Sequence, residues 1–311
     1  MYNESIVSEF ILLGLSNVPD LDIILFCVFL LMYIVCMTGN LVIIIITNID
    51  PALNTPMYFF LSNLSFLDVL CTTSTIPKML ANFFSKNKVI TFHGCVVQMF
   101  IFTAAMDTEF LLLTIMSVDR YLAICNPLRY KTIMSKKSCY FLSAVVWTFG
   151  FCSSTYHTSS TFRLSFCSSN KINHFFCEIP QLLALSCSDT SVNELVLIVT
   201  DVVLGVFCFI FIFGSYLFII LAVLKIRTAE GKMKAFSTCA SHITVVLLFY
   251  GTLIFAYFKP STGNASDMDK AVAVFYTIVI PMLNPILYSL RNKEVKDSVQ
   301  RVIFRRVTFN E

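Results

Sequence analysis

Seven long apolar runs divide this chain, and they constrain its fold more than any other feature of the sequence. Five of them contain no charged residue, and the other two are interrupted only by acids. A membrane-spanning helix needs about 20 predominantly apolar residues, whereas a strand of a membrane barrel needs about half as many. The runs therefore predict an all-α membrane protein with a seven-transmembrane helix bundle. In chain order, spans 1 to 7 are residues 23–49, 56–77, 96–118, 138–162, 202–224, 235–258 and 271–290.

Charged residues are scarce and unevenly distributed. They make up 13% of the chain, against about 25% in a soluble domain, and the net charge of +3 indicates no nucleic-acid partner. Of the 22 Lys and Arg residues, about two thirds lie on the side of the C-terminal tail, which predicts that this side is cytoplasmic. We therefore expect a multi-pass plasma-membrane protein with an extracellular N-terminus (1–22), a seven-transmembrane domain (23–290) and a cytoplasmic tail (291–311).

The predicted tail carries an amphipathic pattern. Val295, Val299, Val302 and Ile303 recur at helical spacing, with basic residues between them. This pattern predicts a short helix that lies along the inner leaflet.

Four of the twelve cysteines fall in predicted outer segments, where an oxidising environment favours disulfides. They are Cys95, Cys167, Cys177 and Cys187. Four cysteines allow three pairings, and their spacing selects none of them. The sequons at Asn3 and Asn264 also lie outside and are candidates for glycosylation.

Four sequence blocks carry a resemblance to a known family. They are PMYFFLSNLSFLDVL, MSVDRYLAICNPLRY, SYLFIILAVLKIRTAEGKMKAFSTCASH and PMLNPILYSLRN. In this order, and together with seven spans, they resemble the signature blocks of the class II (tetrapod-type) olfactory receptors, which are rhodopsin-like G-protein-coupled receptors. The resemblance covers essentially the whole chain. It implies a receptor and not an enzyme, one that binds small volatile odorants and activates a heterotrimeric stimulatory G protein to raise cAMP, with no cofactor.

The resemblance implies an activation switch at the cytoplasmic end of the bundle. Arg120 of the DRY triplet is expected to contact the G protein once spans 5 and 6 move outward; alternatively, Asp119 and Arg120 only anchor a helix end. His242 is either a pH-sensitive switch or a packing histidine, and Pro285 should kink span 7. The residues assigned to the switch are Asp119, Arg120, Tyr121, Tyr216, His242, Asn284, Pro285 and Tyr288.

Ionisable residues within the spans predict a polar network in the middle of the bundle. A charged side chain at this depth costs about 3 kcal/mol and needs a partner. By resemblance, Asp68 lies with Asn40 and Asn284, and Glu109 points toward Asp68. Two neighbouring carboxylates hold a cation or share a proton, so the network holds either a sodium ion or structural water.

The resemblance places the odorant pocket in the outer half of the bundle, between spans 3, 5, 6 and 7. Its candidate residues are mostly apolar or aromatic: Phe102, Thr103, Met106, Asp107, Leu197, Thr200, Asp201, Leu204, Tyr250, Leu253, Ile254, Tyr257 and Thr277. For each apolar candidate the alternative is interhelical core packing. The acids Asp107 and Asp201 indicate either ligands that include protonated amines or purely structural polar contacts.

The resemblance also implies the disulfide pairing, which is Cys95 with Cys177 and Cys167 with Cys187. The HFFCE stretch (174–178) has been read in this family as a metal site, but a disulfide-bonded Cys177 offers no thiolate, so we expect no metal. Two other functions are a non-olfactory chemosensory receptor of the same fold and a membrane transporter. An odd number of spans without internal repeats disfavours the transporter.

Overall fold

The computed structural model describes residues 7–15, 19–167, 169–257, 265–291 and 293–307. The two predicted glycosylation sites, Asn3 and Asn264, lie outside the described residues. The helices, in chain order, are α1 (Pro19–Ile49), α2 (Pro56–Phe83), α3 (Phe92–Cys125), α4 (Pro127–Ile133), α5 (Lys136–Thr161), α6 (Ile179–Leu183), α7 (Ser191–Leu224), α8 (Ala229–Tyr257), α9 (Ala265–Val274), α10 (Ile280–Arg291) and α11 (Lys293–Val307).

Seven helical segments of the described chain follow the seven predicted spans and confirm the fold class. Spans 1 to 6 correspond to α1, α2, α3, α5, α7 and α8. Span 7 consists of α9, a π-helical turn (Phe275–Val279) and α10. The remaining helices, α4, α6 and α11, are short and lie outside the spans.

Five segments of the described chain are long and apolar enough to cross a membrane by length and composition alone. They are Leu21–Ile49, Pro56–Phe83, Phe92–Cys125, Ser191–Leu224 and Asp267–Tyr288. The apolar part of α8 is shorter, Cys239–Thr252, and α5 ends in the polar sequence SSTYHTSST. Hydroxyls in α5 find partners inside the protein, since Ser154 donates to the Phe100 carbonyl oxygen at 2.6 Å. Such internal bonds make a polar helix compatible with a lipid environment.

The third span lies at the centre of the bundle, where α3 packs against α2, α5 and α7. A small residue allows one of these helices to approach closely. A Cβ atom at Gly150 of α5 would fall 2.8 Å from the Ala104 carbonyl oxygen of α3. Glycine at this position therefore sets the α3–α5 distance, as small residues do in membrane helix packing.

A three-stranded sheet covers one end of the bundle, which we call the outer end following the predicted orientation. It consists of β1 (Glu9–Leu12), β2 (Val89–Thr91) and β3 (Lys171–Ile172), in the order β2-β1-β3. β1 is antiparallel to β2 and parallel to β3. Phe10 and Leu12 of β1 are fully buried, because alternate strand residues face the bundle. No strand was predicted in this N-terminal segment.

The opposite, inner end is closed by α11, the helix predicted in the tail. Val295 is fully buried against the bundle. Glu294 accepts a hydrogen bond from the Tyr58 hydroxyl at 2.7 Å. Arg301 Nη2 donates to Asp50 Oδ2 at 2.7 Å, which connects α11 to the turn between α1 and α2.

Candidate functional site

An aromatic cluster, which we call the outer ring cluster, lies beneath the 4–5 connection. The Phe102 ring of α3 lies 4.9 Å from the Phe176 ring and 5.8 Å from the Tyr276 ring, measured between centroids. Tyr276 also donates from its hydroxyl to Glu178 Oε1 at 2.8 Å. Side chains from α3, the 4–5 connection and span 7 thus meet above the middle of the bundle.

A disulfide between Cys95 and Cys177 fixes this connection on α3, with 5.6 Å between the two Cα atoms. Gln98, one turn after Cys95, accepts from the Cys177 N–H at 2.8 Å and donates to the Ser74 carbonyl oxygen at 2.8 Å. A second disulfide joins Cys167 to Cys187 within the connection. These are the two pairings that the resemblance implies.

A second aromatic cluster, the inner ring cluster, lies deeper between α3, α7 and α8. The Phe110 ring lies 4.8 Å from Phe249 and 6.0 Å from Tyr250. The Tyr250 ring also lies 5.7 Å from Phe209, and its hydroxyl donates to the Gly205 carbonyl oxygen at 3.4 Å. Along α3, Phe102 and Phe110 are eight residues apart, which places the two clusters about 12 Å apart.

Between the two clusters, Asp107 is buried, with 7% of its surface exposed. Its Oδ2 atom has no hydrogen-bond partner among the described residues. The carboxylate lies close enough to Ser153 of α5 and to Asp201 of α7 to interact with both. The structure thus brings the two acids identified in the sequence to one region of the bundle.

The other pocket candidates occupy different environments. Leu204 and Thr277 are buried, while Thr103, Met106, Leu197 and Thr200 are partly buried. Leu197 packs with the outer residues around Phe10, and Ile254 is 54% exposed. Leu253 and Tyr257 belong to α8, but their side chains lie outside the described residues.

Five aromatic residues of these clusters were missed by sequence reasoning: Phe110, Phe176, Phe209, Phe249 and Tyr276. Three of them directly precede a residue that was singled out in the sequence. Phe176 directly precedes Cys177, Phe249 precedes Tyr250, and Tyr276 precedes Thr277. Phe249 and Tyr276 each adjoin a candidate on a helix and reach a different face of it, which is why these two were not selected.

A buried polar network lies in the middle of the bundle. Asn284 Nδ2 donates to both carboxylate oxygens of Asp68, at 3.0 Å each. Asn40 Nδ2 donates to the Pro281 carbonyl oxygen at 3.0 Å. That carbonyl lacks its usual helical donor because Pro285, four residues later, has no N–H. The side chain from α1 therefore satisfies the group that the proline leaves free.

The same network includes a second acid. Glu109 is buried, its Oε1 atom has no hydrogen-bond partner among the described residues, and it interacts electrostatically with Asp68. The part of the chain that the structure describes contains no group of three or more His, Cys, Asp or Glu that could hold a metal ion.

The predicted switch residues meet near the inner end of the bundle. Arg120 is buried, and it interacts electrostatically with Tyr216, His242 and Tyr288. Tyr216 and His242 are also hydrogen-bonded to each other. Arg120 Nη2 has no hydrogen-bond partner among the described residues. A guanidinium with a free donor at the mouth of the bundle can accept a new partner there.

The carboxylate of Asp119 has a partner that the sequence analysis did not identify. Its Oδ1 atom accepts from the Tyr130 hydroxyl of α4 at 2.8 Å, in addition to its electrostatic interaction with Arg120. Burial and the neighbouring Asp119 carboxylate raise the pKa of Tyr130 above its ordinary value, so this hydroxyl remains a donor. Tyr121, the last residue of the triplet, packs its ring 5.8 Å from Phe218 of α7.

At the outer end, the HFFCE stretch offers no free thiolate. Cys177 is disulfide-bonded, and His174 is buried between the rings of Phe175 and Phe176. Burial and the positive charge of Lys270 lower the pKa of His174 to about 3. The imidazole is therefore neutral at physiological pH.

Comparisons with known proteins point to one family. A family model described as "Olfactory receptor" matches residues 29–306. The chain is 49% identical to human "Olfactory receptor 5I1", over 98% of this chain and 97% of that protein. It is 50% identical to dog "Olfactory receptor-like protein OLF1" over 98% of each chain. It is 48% identical to mouse "Olfactory receptor 5AP2" over 98% of this chain and 96% of that protein.

Proposed function

Because this chain belongs to the olfactory receptor family, we propose that it binds volatile odorants between its two ring clusters and thereby activates a stimulatory G protein that raises cAMP. Membership of the family makes the chain a multi-pass membrane receptor for odorants, and not an enzyme. The location of the pocket, the class of G protein and the orientation in the plasma membrane are the proposed parts.

The paired ring clusters carry the proposed location of the pocket. Phe102 and Phe176 lie on the outer side, Phe110 and Tyr250 on the inner side, and the spacing of about 12 Å along α3 suits a small volatile molecule. Apolar and aromatic walls with few polar groups are typical of sites for such ligands. The partly buried candidates Thr103, Met106, Leu197 and Thr200 and the buried Leu204 and Thr277 belong to the helices around this region.

The cluster around Arg120 supports coupling at the opposite end. Arg120, Tyr216, His242 and Tyr288 come from α3, α7, α8 and α10, so a movement of α7 and α8 alters the surroundings of the guanidinium. The excess of basic residues on this side favours a cytoplasmic location for it. The network of Asn40, Asp68, Glu109 and Asn284 connects the two regions and holds water or a sodium ion.

The proposal is tested by expressing the chain in cells with a cAMP reporter and exposing them to a panel of volatile compounds. The expected result is a concentration-dependent rise in cAMP for a subset of the panel. The same cells without a stimulatory G protein α-subunit should give no rise. A chain that reaches the surface and gives no cAMP response to any compound would contradict the proposal. Ligand uptake that does not depend on the G protein would favour a transporter.

A further inference from the structure

We propose that the region between Asp107 and Asp201 recognises protonated aliphatic amines, with the ammonium group at the acids and the alkyl chain among the aromatic rings. This inference rests on the proposed odorant-receptor function and names one ligand class for the proposed site. Three features of the structure support it: an unpartnered buried oxygen, a second acid on the facing helix, and a cluster of aromatic rings one turn deeper.

The first feature is the carboxylate of Asp107. It lies in the middle of α3, is almost completely buried, and leaves Oδ2 without a hydrogen-bond partner among the described residues. A buried carboxylate oxygen without a donor is costly. A ligand with N–H donors and a positive charge gives this oxygen a hydrogen bond and also neutralises the carboxylate.

The second feature is the position of Asp201. It lies on α7, across from α3, and interacts electrostatically with Asp107. Two neighbouring carboxylates create a strongly negative region that favours a cation. The helix that carries Asp107 supplies no cation next to this carboxylate, since α3 has no Lys or Arg before Arg120.

The third feature is the inner ring cluster, one helical turn below the acids. Phe110 follows Asp107 by three residues on α3, and Gly205 follows Asp201 by four residues on α7, so each pair shares a helix face. Tyr250 connects the two positions, through its hydrogen bond to Gly205 and its ring contact with Phe110. Aromatic faces attract ammonium groups and also accommodate alkyl chains.

The polar groups define the shape of the expected ligand. An alkylammonium carries three N–H donors, and the two carboxylates and the Ser153 hydroxyl beside Asp107 provide acceptors for them. The ring clusters lie about 12 Å apart along α3, and Asp107 lies between them, so short and medium n-alkyl chains are the expected ligands. Neutral alcohols of the same length fill the same space but offer no charge to Asp107.

The test compares n-alkylamines from butylamine to octylamine with the n-alcohols of equal length, by the cAMP response at neutral pH. In the wild type, at least one amine is expected to activate the receptor more potently than its matched alcohol. Asp107→Asn should lower amine potency by about 10- to 100-fold and lower alcohol potency much less, because an alcohol loses only a hydrogen bond and no charge interaction. Asp201→Asn should act in the same direction. Asp107→Glu, which keeps the charge, should retain most of the amine response.

Asp189→Asn is the matched control, because it makes the same chemical change in an exposed loop, and all variants are compared at equal surface density. The inference is overturned if alcohols activate the wild type and no amine does, or if Asp107→Asn lowers amine and alcohol potency equally. If Asp107→Asn does not reach the surface, unchanged amine potency in Asp201→Asn overturns it. A wild type at the surface that responds to neither class contradicts the proposed function itself.

Discussion

The hydroxyl oxygen of Tyr216 lies 2.6 Å from Nδ1 of His242, and Nε2 of the same ring lies 3.1 Å from the Leu113 carbonyl oxygen. A carbonyl oxygen only accepts, so Nε2 carries the proton, and in the neutral ring Nδ1 accepts from Tyr216. One buried imidazole thus joins α3, α7 and α8, the helices whose separation would open the inner end of the bundle.

Replacing the His242 ring should favour the arrangement in which α3, α7 and α8 are separated at the inner end of the bundle. His242→Phe keeps an aromatic side chain but removes both hydrogen bonds, each of which contributes about 1 kcal/mol. We expect ligand-independent cAMP to rise by roughly 5- to 30-fold at equal surface density, the shift that about 1–2 kcal/mol gives. Tyr216→Phe removes only one of the bonds and should give a smaller rise. Basal signalling equal to the wild type in both variants would show that the bonds do not hold the closed arrangement.

Arg120→Ala should abolish odorant-dependent cAMP while surface density stays near normal. The guanidinium is buried beside Tyr216 and Tyr288 and keeps a free donor, which fits a group that awaits a partner rather than one that supports the fold. Arg129→Ala removes an exposed arginine from the nearby α4 and is the matched control. Normal signalling by Arg120→Ala at normal surface density would show that the arginine only anchors the end of the helix.

The seven helices were predictable because each apolar run is long enough to require a helix that satisfies its own backbone in lipid. Their ends were less predictable. The third run covers residues 96–118, whereas α3 extends from Phe92 to Cys125, because a helix continues into the polar boundary wherever local capping allows. Thr91 provides that cap at the outer end, where its side chain accepts from the Gly94 N–H.

The sheet at the outer end could not be derived from the sequence. β1 is only four residues long, and its partners β2 and β3 lie about 80 and 160 residues away. Contacts between residues far apart in the sequence also shape the candidate site. Asp107 and Asp201 were recognisable as acids in apolar surroundings, but the approach of Phe176 and Tyr276 to Phe102 depends on how the 4–5 connection folds over the bundle.

Loss of the Cys95–Cys177 disulfide should prevent surface expression. The bond holds the 4–5 connection on α3, and removal of a native disulfide typically costs 2–5 kcal/mol. We expect Cys95→Ser and Cys177→Ser each to remain in the endoplasmic reticulum, as measured by surface labelling against total protein. Cys152→Ser is the matched control, since Cys152 is free and exposed on α5. Normal surface density of both disulfide variants would contradict this role.

The ion pair between Asp50 and Arg301 should hold α11 against the bundle at all physiological pH values. Hydrogen bonds from Arg301 and the Ala52 N–H lower the pKa of Asp50 to about 2. The stabilisation is therefore complete above the ordinary pKa of an aspartate and is lost only as the pH falls toward 2.

Hydrogen exchange of the α11 amides measures this contact. Because Arg301 is about half exposed, the pair contributes only about 0.2–1 kcal/mol. Arg301→Gln and Asp50→Asn should each speed exchange by a few-fold, and the double variant should be no faster than either one. Lys296→Gln, which removes an exposed charge from the same helix, should have no effect. Fully additive effects in the double variant would show that the two side chains act independently.

The buried imidazole of His174 should make the receptor less stable in mild acid. Its pKa is about 3 in the folded protein, because burial and the charge of Lys270 oppose protonation, whereas an unfolded histidine titrates near 6.5. Between these values the unfolded chain binds one more proton, so stability is complete above about pH 6.5 and falls by up to about 1.4 kcal/mol per pH unit below it. Glu178 Oε2, 4.0 Å from Nε2, moderates this loss by attracting the protonated ring.

We expect the Tm of the purified receptor to fall between pH 7 and pH 5. His174→Phe, which keeps a ring beside Phe175, should show a weaker fall, while His93→Phe, a change at an exposed position, should match the wild type. Equal slopes for His174→Phe and the wild type would mean that His174 does not set the acid sensitivity.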